Sequence, residues 1–298
     1  MTSYASKPLT LKTNLADAPV TLAVKDGRVK SDLVTLEFCG PRMAHDGFKP
    51  MLREHAFDCG ELAIVTYLQA RIYNKPFTLL PLPVSGKAQH PGVGYSTEFG
   101  ELKPKDIEGK KVGVRTYSQT TGLWLRGILQ HDFGVDMDKV QFLTTDVSHL
   151  AEYQDPPNCQ LLPKGTNLGD MLLKGEIAAG MLGMEMPKDP RIATLIPNAV
   201  KEGEEWVKRN GIVPINHLFV VRSELAKERP DVVKDIYRML VESRGYAPAE
   251  QVAQLPPVGA EAIRKTIEMA SQWAFEQKII PRIVPFEELF DKTTINLN

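Results

Sequence analysis

The sequence predicts a two-domain α/β protein in which parallel strands alternate with helices. With 298 residues, 43% of them hydrophobic, the chain exceeds the usual size of one compact domain and has enough apolar side chains for two cores. Short apolar runs typical of strands are followed by amphipathic runs typical of helices, and this alternation indicates layered parallel sheets. The 36 basic and 37 acidic residues form no long run of either sign. This charge pattern disfavours nucleic acid and membranes as partners and favours a small molecule.

The first third of the chain is predicted to begin as a β framework. Asp58 and Glu61 have the spacing of a capping box ahead of the apolar run 62–70, which predicts a helix that begins near Gly60. The turn-like segment Lys25–Arg28 separates the first two predicted strands. The strands predicted in this part of the chain are 9–15, 34–38 and 77–84.

A second strand–loop–helix unit follows. Residues 110–114 are predicted as a strand, Arg115–Gly122 as a polar loop and 123–131 as a helix that stops at Gly134. Residues 144–165 form a long irregular stretch, a type of segment that is often functional. Further strands are predicted at 140–143, 177–182 and 212–222, and further helices at 168–174, 224–244 and 260–277.

The sequence favours a cytoplasmic protein without a bound metal. The N-terminal residues contain no apolar core of a signal peptide, and no apolar run reaches the ~20 residues that a membrane-spanning helix needs. Cys39, Cys59 and Cys159 are odd in number and widely scattered, which argues against a disulfide framework and a zinc site. The six histidines show no metal-ligand spacing.

The polar loop before the second predicted helix is the strongest candidate for a ligand site. Ligands of open α/β sheets bind outside the carboxyl ends of the strands, where a helix N-terminus attracts anions. Ser118, Gln119, Thr120 and Thr121 add side-chain donors, and Arg115 adds a fixed positive charge suited to a carboxylate. The alternative is that the hydroxyl groups only cap the helix.

Two histidines and one cysteine are weaker candidates. Lys87 and His90 lie in a turn after a strand, where they could bind a ligand or simply face water. His217 lies in the apolar segment 213–219, where it could be a hydrogen-bonded core residue or could reach a site at the start of its strand. Cys59 could be a reactive thiol at a helix N-terminus or, more commonly for a free cysteine, a small packing residue.

Seven segments of the chain form a recognisable ordered set: 57–62, 67–68, 113–117, 119–124, 126–129, 210–217 and 286–290. Together they resemble the 4,5-dihydroxyphthalate decarboxylases. The matching segments occur in family order from about Thr10 to the C-terminus, so the resemblance covers almost the whole chain. One difference lies before His90, where the family tends to place arginines and this chain has Gly86-Lys87-Ala88-Gln89.

The resemblance implies a non-secreted protein with the two-lobed periplasmic-binding-protein type II fold. Each lobe would be a mixed sheet flanked by helices, with a ligand cleft between the lobes. Lobe 1 would comprise residues 1–95 and 217–298, and lobe 2 would comprise residues 96–216. The strands near 92–96 and 218–222 would act as hinges.

The resemblance also implies a cofactor-independent, non-oxidative decarboxylation of a hydroxylated aromatic carboxylate. His217 or His90 would be the catalytic acid. The residues that would bind substrate comprise six that orient anions, two aromatic residues and one carboxylate. They are Arg115, Lys87, Ser118, Gln119, Thr120, Thr121, Tyr117, Trp124 and Glu61.

Two other functions fit the same sequence. One is a non-catalytic solute-binding protein of the ABC-transporter type that binds a small organic anion. The other is an intracellular ligand-sensing or biosynthetic protein of the same fold, because fold does not decide function. No cofactor is expected, and the sequence leaves the oligomeric state open.

Overall fold

The computed structural model describes residues 8–298 as two compact units. Unit 1 comprises the chain up to Lys87 together with Ile215–Glu268 and Val284–Asn298. Unit 2 comprises Ala88–Pro214 and Met269–Ile283. Each unit contains one mixed sheet flanked by helices, so the predicted α/β class is confirmed.

The strands and α-helices of the described residues follow in chain order. The strands are β1 (Leu9–Asn14), β2 (Val34–Phe38), β3 (Cys59–Ala63), β4 (Phe77–Gly86), β5 (Val93–Ser96), β6 (Lys111–Val114), β7 (Gln141–Thr144), β8 (Cys159–Leu161), β9 (Ala179–Met181), β10 (Ile192–Thr194) and β11 (Ile215–Arg222). The helices are α1 (Leu22–Lys25), α2 (Phe48–Arg53), α3 (Ile64–Ile72), α4 (Thr120–Phe133), α5 (Leu168–Leu173), α6 (Ala199–Asn210), α7 (Ser223–Glu228), α8 (Pro230–Arg244), α9 (Ala249–Val252) and α10 (Ala260–Glu276).

The sheet of unit 1 has the strand order β2-β1-β3-β11-β4. Strand β1 is parallel to β2 and β3, whereas β11 is antiparallel to β3 and β4. The carboxyl ends of β1 and β3 therefore lie beside the start of β11. One face of this sheet packs on α8 through a core that includes Leu80, Phe219 and Ile236, and burial of these apolar side chains stabilises the unit.

The sheet of unit 2 has the strand order β10-β5-β9-β6-β7-β8. Strands β6 to β9 are parallel where they pair, and β5 is antiparallel to β9 and β10. Helix α4 follows the carboxyl end of β6 and stops where Gly134 takes the left-handed conformation, with φ of 65°. This glycine stop is the one predicted from the sequence.

The helix predicted over the apolar run 62–70 is present as α3, but its predicted start near Gly60 is wrong. Residues 59–63 form strand β3, and α3 begins only at Ile64. The two residues with capping-box spacing bind distant partners instead: Asp58 accepts a hydrogen bond from the Lys12 backbone at 2.9 Å, and Glu61 pairs with His217. Long-range strand pairing thus overrides a local helix signal.

The remaining differences are smaller. The predicted helix 224–244 is two helices, because Pro230 begins α8. Helix α4 begins at Thr120 instead of residue 123, so Thr120 and Thr121 belong to its first turn. In the described part of the chain, no helix is long and apolar enough to cross a bilayer.

Candidate functional site

The imidazole of His217 and the carboxylate of Glu61 form a hydrogen-bonded pair in unit 1. In the register of β3 and β11, His217 lies opposite Ala63 and Phe219 lies opposite Glu61. His217 and Glu61 are therefore diagonal neighbours on one face of the sheet. They lie where the carboxyl end of β3 meets the start of β11, the edge at which open α/β sheets bind ligands.

Glu61 is fixed by hydrogen bonds to both of its carboxylate oxygens. Its Oε1 atom accepts a hydrogen bond from the Ala16 backbone N–H at 2.6 Å, and its Oε2 atom lies 2.8 Å from His217 Nδ1. The Glu61 side chain is only 3% exposed, whereas that of His217 is 24% exposed. The buried carboxylate thus orients a ring that solvent, or a ligand, can reach.

The other side of the His217 ring is bounded by Phe48, the first residue of α2. The two rings meet edge to face with their centroids 5.1 Å apart. Within residues 8–298 the Nε2 atom of His217 has no hydrogen-bond partner. The ring is therefore held through Nδ1 and packing, with Nε2 available for a proton transfer.

His90 has a very different environment in unit 2. Its side chain is 0% exposed, and neither ring nitrogen has a hydrogen-bond partner among the described residues. Trp206 packs against it with ring centroids 6.0 Å apart. Burial, with a smaller effect of the positive charge on Arg209, lowers the pKa of His90 to about 4. His90 is neutral near pH 7, which argues against it as the catalytic acid.

The polar loop of unit 2 lies at the carboxyl end of β6 and leads into α4. Gln119 is the N-cap residue of α4, and its buried Oε1 atom has no partner within the described residues. Arg115 is partly exposed and lies 3.8 Å from Glu185 through its Nη1 and the Glu185 Oε1. A helix N-terminus with an adjacent arginine suits an anion.

Several residues predicted to contact substrate lie in the core of unit 2. The hydroxyl of Ser118 donates to Ser148 Oγ at 3.1 Å. The hydroxyl of Tyr117 donates to the Gln277 carbonyl at 3.1 Å. Trp124 is 0% exposed and meets Trp273 edge to face. These side chains support the loop and the helix, so Tyr117 and Trp124 do not offer a free aromatic face.

Lys87 and Cys59 complete the predicted candidates. Lys87 is exposed directly after β4. Cys59 is fully buried at the start of β3, and burial raises the pKa of its thiol to about 12. It is a neutral packing residue at ordinary pH, as the commoner of its two interpretations predicted.

Sequence reasoning missed three groups that position the candidate residues. Ala16 and Phe48 carried no sequence signal, because a backbone N–H and an aromatic residue are common everywhere. Arg126 lies in the helix α4 and is 0% exposed. Its Nη2 donates to the Tyr117 carbonyl at 2.7 Å and its Nε donates to Gln277 Oε1 at 2.8 Å. A lone arginine in an apolar helix was the only available signal.

Two cavities of unit 2 are lined by residues other than the predicted site residues. One, of about 370 Å³, is lined mainly by the segment 186–194. Another, of about 300 Å³, is lined mainly by the segments 95–102 and 175–178. In residues 8–298 no group of three or more His, Cys, Asp and Glu side chains is arranged to hold a metal ion.

Comparisons with known proteins identify related decarboxylases. The chain is 26% identical over 193 residues to the 4,5-dihydroxyphthalate decarboxylase of Comamonas testosteroni, a match that covers 58% of this chain and 56% of that protein. It is 21% identical over 169 residues to the enzyme of the same name from Pseudomonas putida, covering 52% of this chain and 65% of that protein. The matches thus span less than two thirds of either relative. No model of a protein family matches the chain.

Solved structures with the same fold include both binding proteins and an enzyme. The alkanesulfonate-binding protein SsuA of Xanthomonas axonopodis pv. citri superposes with a TM-score of 0.60 at 13% identity, covering 96% of this chain and 99% of that one. The desulfurization enzyme DszB superposes with a TM-score of 0.59 at 13% identity, covering 96% of this chain and 97% of that one. These likenesses show the fold alone. The resemblance predicted from the sequence is therefore confirmed: the chain is similar to 4,5-dihydroxyphthalate decarboxylases over part of their length, and it has a fold of the periplasmic-binding-protein type.

Proposed function

We propose that this protein is a cofactor-independent decarboxylase of a hydroxylated aromatic carboxylate, and that His217 donates the proton. The observation that carries the proposal is the hydrogen bond of 2.8 Å between His217 Nδ1 and Glu61 Oε2. It gives a partly exposed imidazole a buried anionic partner. The two decarboxylase relatives support the reaction class, and their names suggest the substrate class.

The pair has the properties that a general acid needs. The buried carboxylate of Glu61 fixes the orientation of the His217 ring through its Nδ1 atom. Because Glu61 holds the Nδ1 atom, the proton that can be transferred is the one on Nε2. His217 keeps a side-chain exposure of 24%, so this proton can reach a bound molecule.

The proposed reaction breaks the bond between the ring carbon and the carboxylate carbon. The carboxylate leaves as CO2, and the electron pair of the broken bond remains on the ring carbon. The Nε2 proton of His217 is transferred to that carbon and forms the new C–H bond. His217 is left neutral and is protonated again from solvent.

The loop of unit 2 independently supports an anionic ligand. Arg115 is partly exposed, and the N-terminus of the 14-residue helix α4 follows it closely. Backbone N–H groups and the helix dipole favour negative charge at such a position. We therefore assign Arg115 and the first turn of α4 to recognition of a carboxylate, together with the neighbouring donors Gln119, Thr120 and Thr121.

The second candidate function is binding of a small organic anion without turnover. It is favoured by the solved sulfonate-binding proteins of the same fold. Such a protein needs the anion-binding loop but has no need of a buried carboxylate behind a reachable histidine. This difference leads us to place the decarboxylase first.

One experiment separates the two functions. Full-length protein is incubated in D2O with 4,5-dihydroxyphthalate and a panel of hydroxylated benzoates, with and without EDTA. We expect CO2 release and a product with one deuterium at the carbon that carried the carboxylate. Saturable binding of intact acids, measured by calorimetry, with no CO2 from any member of the panel would instead establish the binding protein.

A further inference from the structure

We infer that Asn14 is a positioning residue for the His217–Glu61 pair, and that three glycines leave the space in which it lies. Only the kinetic test of this inference depends on the proposed function. Asn14 is the last residue of β1 and is 0% exposed. It is neither beside His217 in sequence nor a group that would touch substrate.

Three separate segments approach Asn14 too closely for any side chain. A Cβ on Gly40 would lie 2.4 Å from Asn14 Oδ1, and one on Gly47 would lie 2.7 Å from Asn14 Cγ. A Cβ on Gly60 would lie 2.3 Å from the Asn14 carbonyl oxygen. Gly60 also has φ of 151°, which side chains rarely permit. The segments that follow β2, precede α2 and enter β3 thus converge on one asparagine.

Two of these segments, and strand β1 itself, lead within one or two residues to a group that holds the imidazole or its carboxylate partner. Gly60 precedes Glu61, whose carboxylate binds His217 Nδ1. Gly47 precedes Phe48, whose ring packs edge-on against His217. Ala16 follows Asn14 by two residues, and its N–H binds the other oxygen of Glu61. A displacement of Asn14 would therefore be transmitted to the ring from both sides.

The hydrogen bonding of the Asn14 side chain indicates that stability alone does not explain why an asparagine occupies this position. Its Nδ2 donates to the Ala44 carbonyl at 3.0 Å and so ties the chain between Gly40 and Gly47 to β1. Its Oδ1 is buried without a partner in the described residues. A buried acceptor without a partner opposes folding, and such costs are typical of functional sites.

Two substitutions and their combination test the packing. In Gly47→Ala the new Cβ meets only side-chain atoms of Asn14, so N14A should remove the clash. We expect G47A to lower Tm and kcat in the native background and to have little further effect on either in the N14A background. G60A is the matched control. Its Cβ meets backbone atoms of Asn14, so G60A should lower Tm and kcat in both backgrounds.

The function of Asn14 is tested by kinetics and by NMR of the His217 imidazole. We expect N14A to lower kcat about tenfold or more with little change in KM, since small displacements of reacting groups have effects of this size. The His217 ring signals, assigned by comparison with H217Q, should shift. These readouts separate positioning from folding, because a purely structural role would lower Tm alone.

Two results would overturn the inference. One is an N14A protein with lowered Tm but unchanged kcat and unchanged His217 signals. The other is a G47A substitution that lowers Tm and kcat equally in the native and the N14A backgrounds. If wild-type protein turns over no substrate, the proposed function fails, while the NMR shifts and the G47A–N14A coupling still decide the positioning role. If N14A does not fold, the His217 signals of G47A supply the decision: shifted signals support the role and unchanged signals oppose it.

Discussion

His217 Nδ1 lies 2.8 Å from an oxygen of Glu61 whose side chain is only 3% exposed. The pair His131–Glu276 has the same separation of 2.8 Å, but Glu276 is 26% exposed and His131 is 41% exposed. The same ion pair interacts more strongly where water is excluded. Burial of the carboxylate, and not the distance, therefore distinguishes the candidate catalytic pair, and the surface pair supplies its natural control.

Replacement of Glu61 by glutamine should reduce catalysis. The amide places no negative charge beside the His217 imidazole and holds the ring less firmly for proton transfer. We expect kcat of E61Q to fall by about 10- to 100-fold. The measurement is kcat of wild type, E61Q and the control E276Q. A kcat of E61Q equal to that of the wild type would show that Glu61 does not assist the acid.

Replacement of Arg115 by glutamine should weaken the binding of an aromatic carboxylate. A charge-assisted contact is lost, which we expect to raise Kd about tenfold, with a smaller effect at high salt because exposed charges are screened. Calorimetric titration with 4,5-dihydroxyphthalate measures this. R28Q is the control, since Arg28 is an exposed residue of unit 1 paired with Asp26. Equal affinities of R115Q and wild type would show that Arg115 does not bind the carboxylate.

His90 should make the protein less stable as the pH falls from about 6.5 to 4. In the folded protein its pKa is lowered to about 4 from the ordinary 6.5, so within this window the unfolded chain binds a proton that the folded chain does not. From pH 7.5 to pH 5 this effect should remove about 2 kcal/mol of the free energy of unfolding. The His90→Leu variant should lose correspondingly less of its free energy of unfolding than the wild type, as measured by urea unfolding at these two pH values. An identical loss in both proteins would contradict the buried, neutral imidazole.

Gly127→Ala should destabilise unit 2 although alanine is the better helix former. A Cβ at residue 127 would lie 2.0 Å from Trp273 Cε3, and Trp273 is held against Trp124 and Trp206. We expect a loss of about 1–3 kcal/mol from overpacking, which exceeds the helix-propensity gain of about 1 kcal/mol. Thermal and urea unfolding of G127A, alone and with W273L, measures it. Stabilisation by about 1 kcal/mol, as helix propensity alone predicts, would show that the indole can move aside.

The sequence predicted those elements that local patterns determine. Strand β2 at Val34–Phe38 and the end of α4 at Gly134 agree with prediction, because alternation and a left-handed glycine are local signals. Strand β3 was not predicted, and helix α3 was predicted to begin four residues too early, because Asp58 and Glu61 have capping-box spacing. Their carboxylates bind Lys12 and His217, which are distant in sequence.

The candidate site could be predicted only in part for the same reason. Glu61 was expected to bind substrate, and its contact with His217 became visible only when β3 and β11 were paired. Tyr117 and Trp124 were expected beside a substrate ring, but both are buried. An aromatic residue in an amphipathic run has the same pattern whether it packs in a core or faces a ligand. The role of Asn14 depends on three glycines from separate segments, which no local pattern connects.

The central claim, that His217 transfers the proton, is tested most directly by the CO2 release of His217→Gln. The substrate is the best one of the panel, and His131→Gln serves as the control for loss of a histidine with a glutamate partner. We expect H217Q to bind the intact acid with a Kd close to that of wild type and to release CO2 at least 100-fold more slowly, while H131Q retains wild-type turnover. CO2 release by H217Q at the wild-type rate would contradict the account.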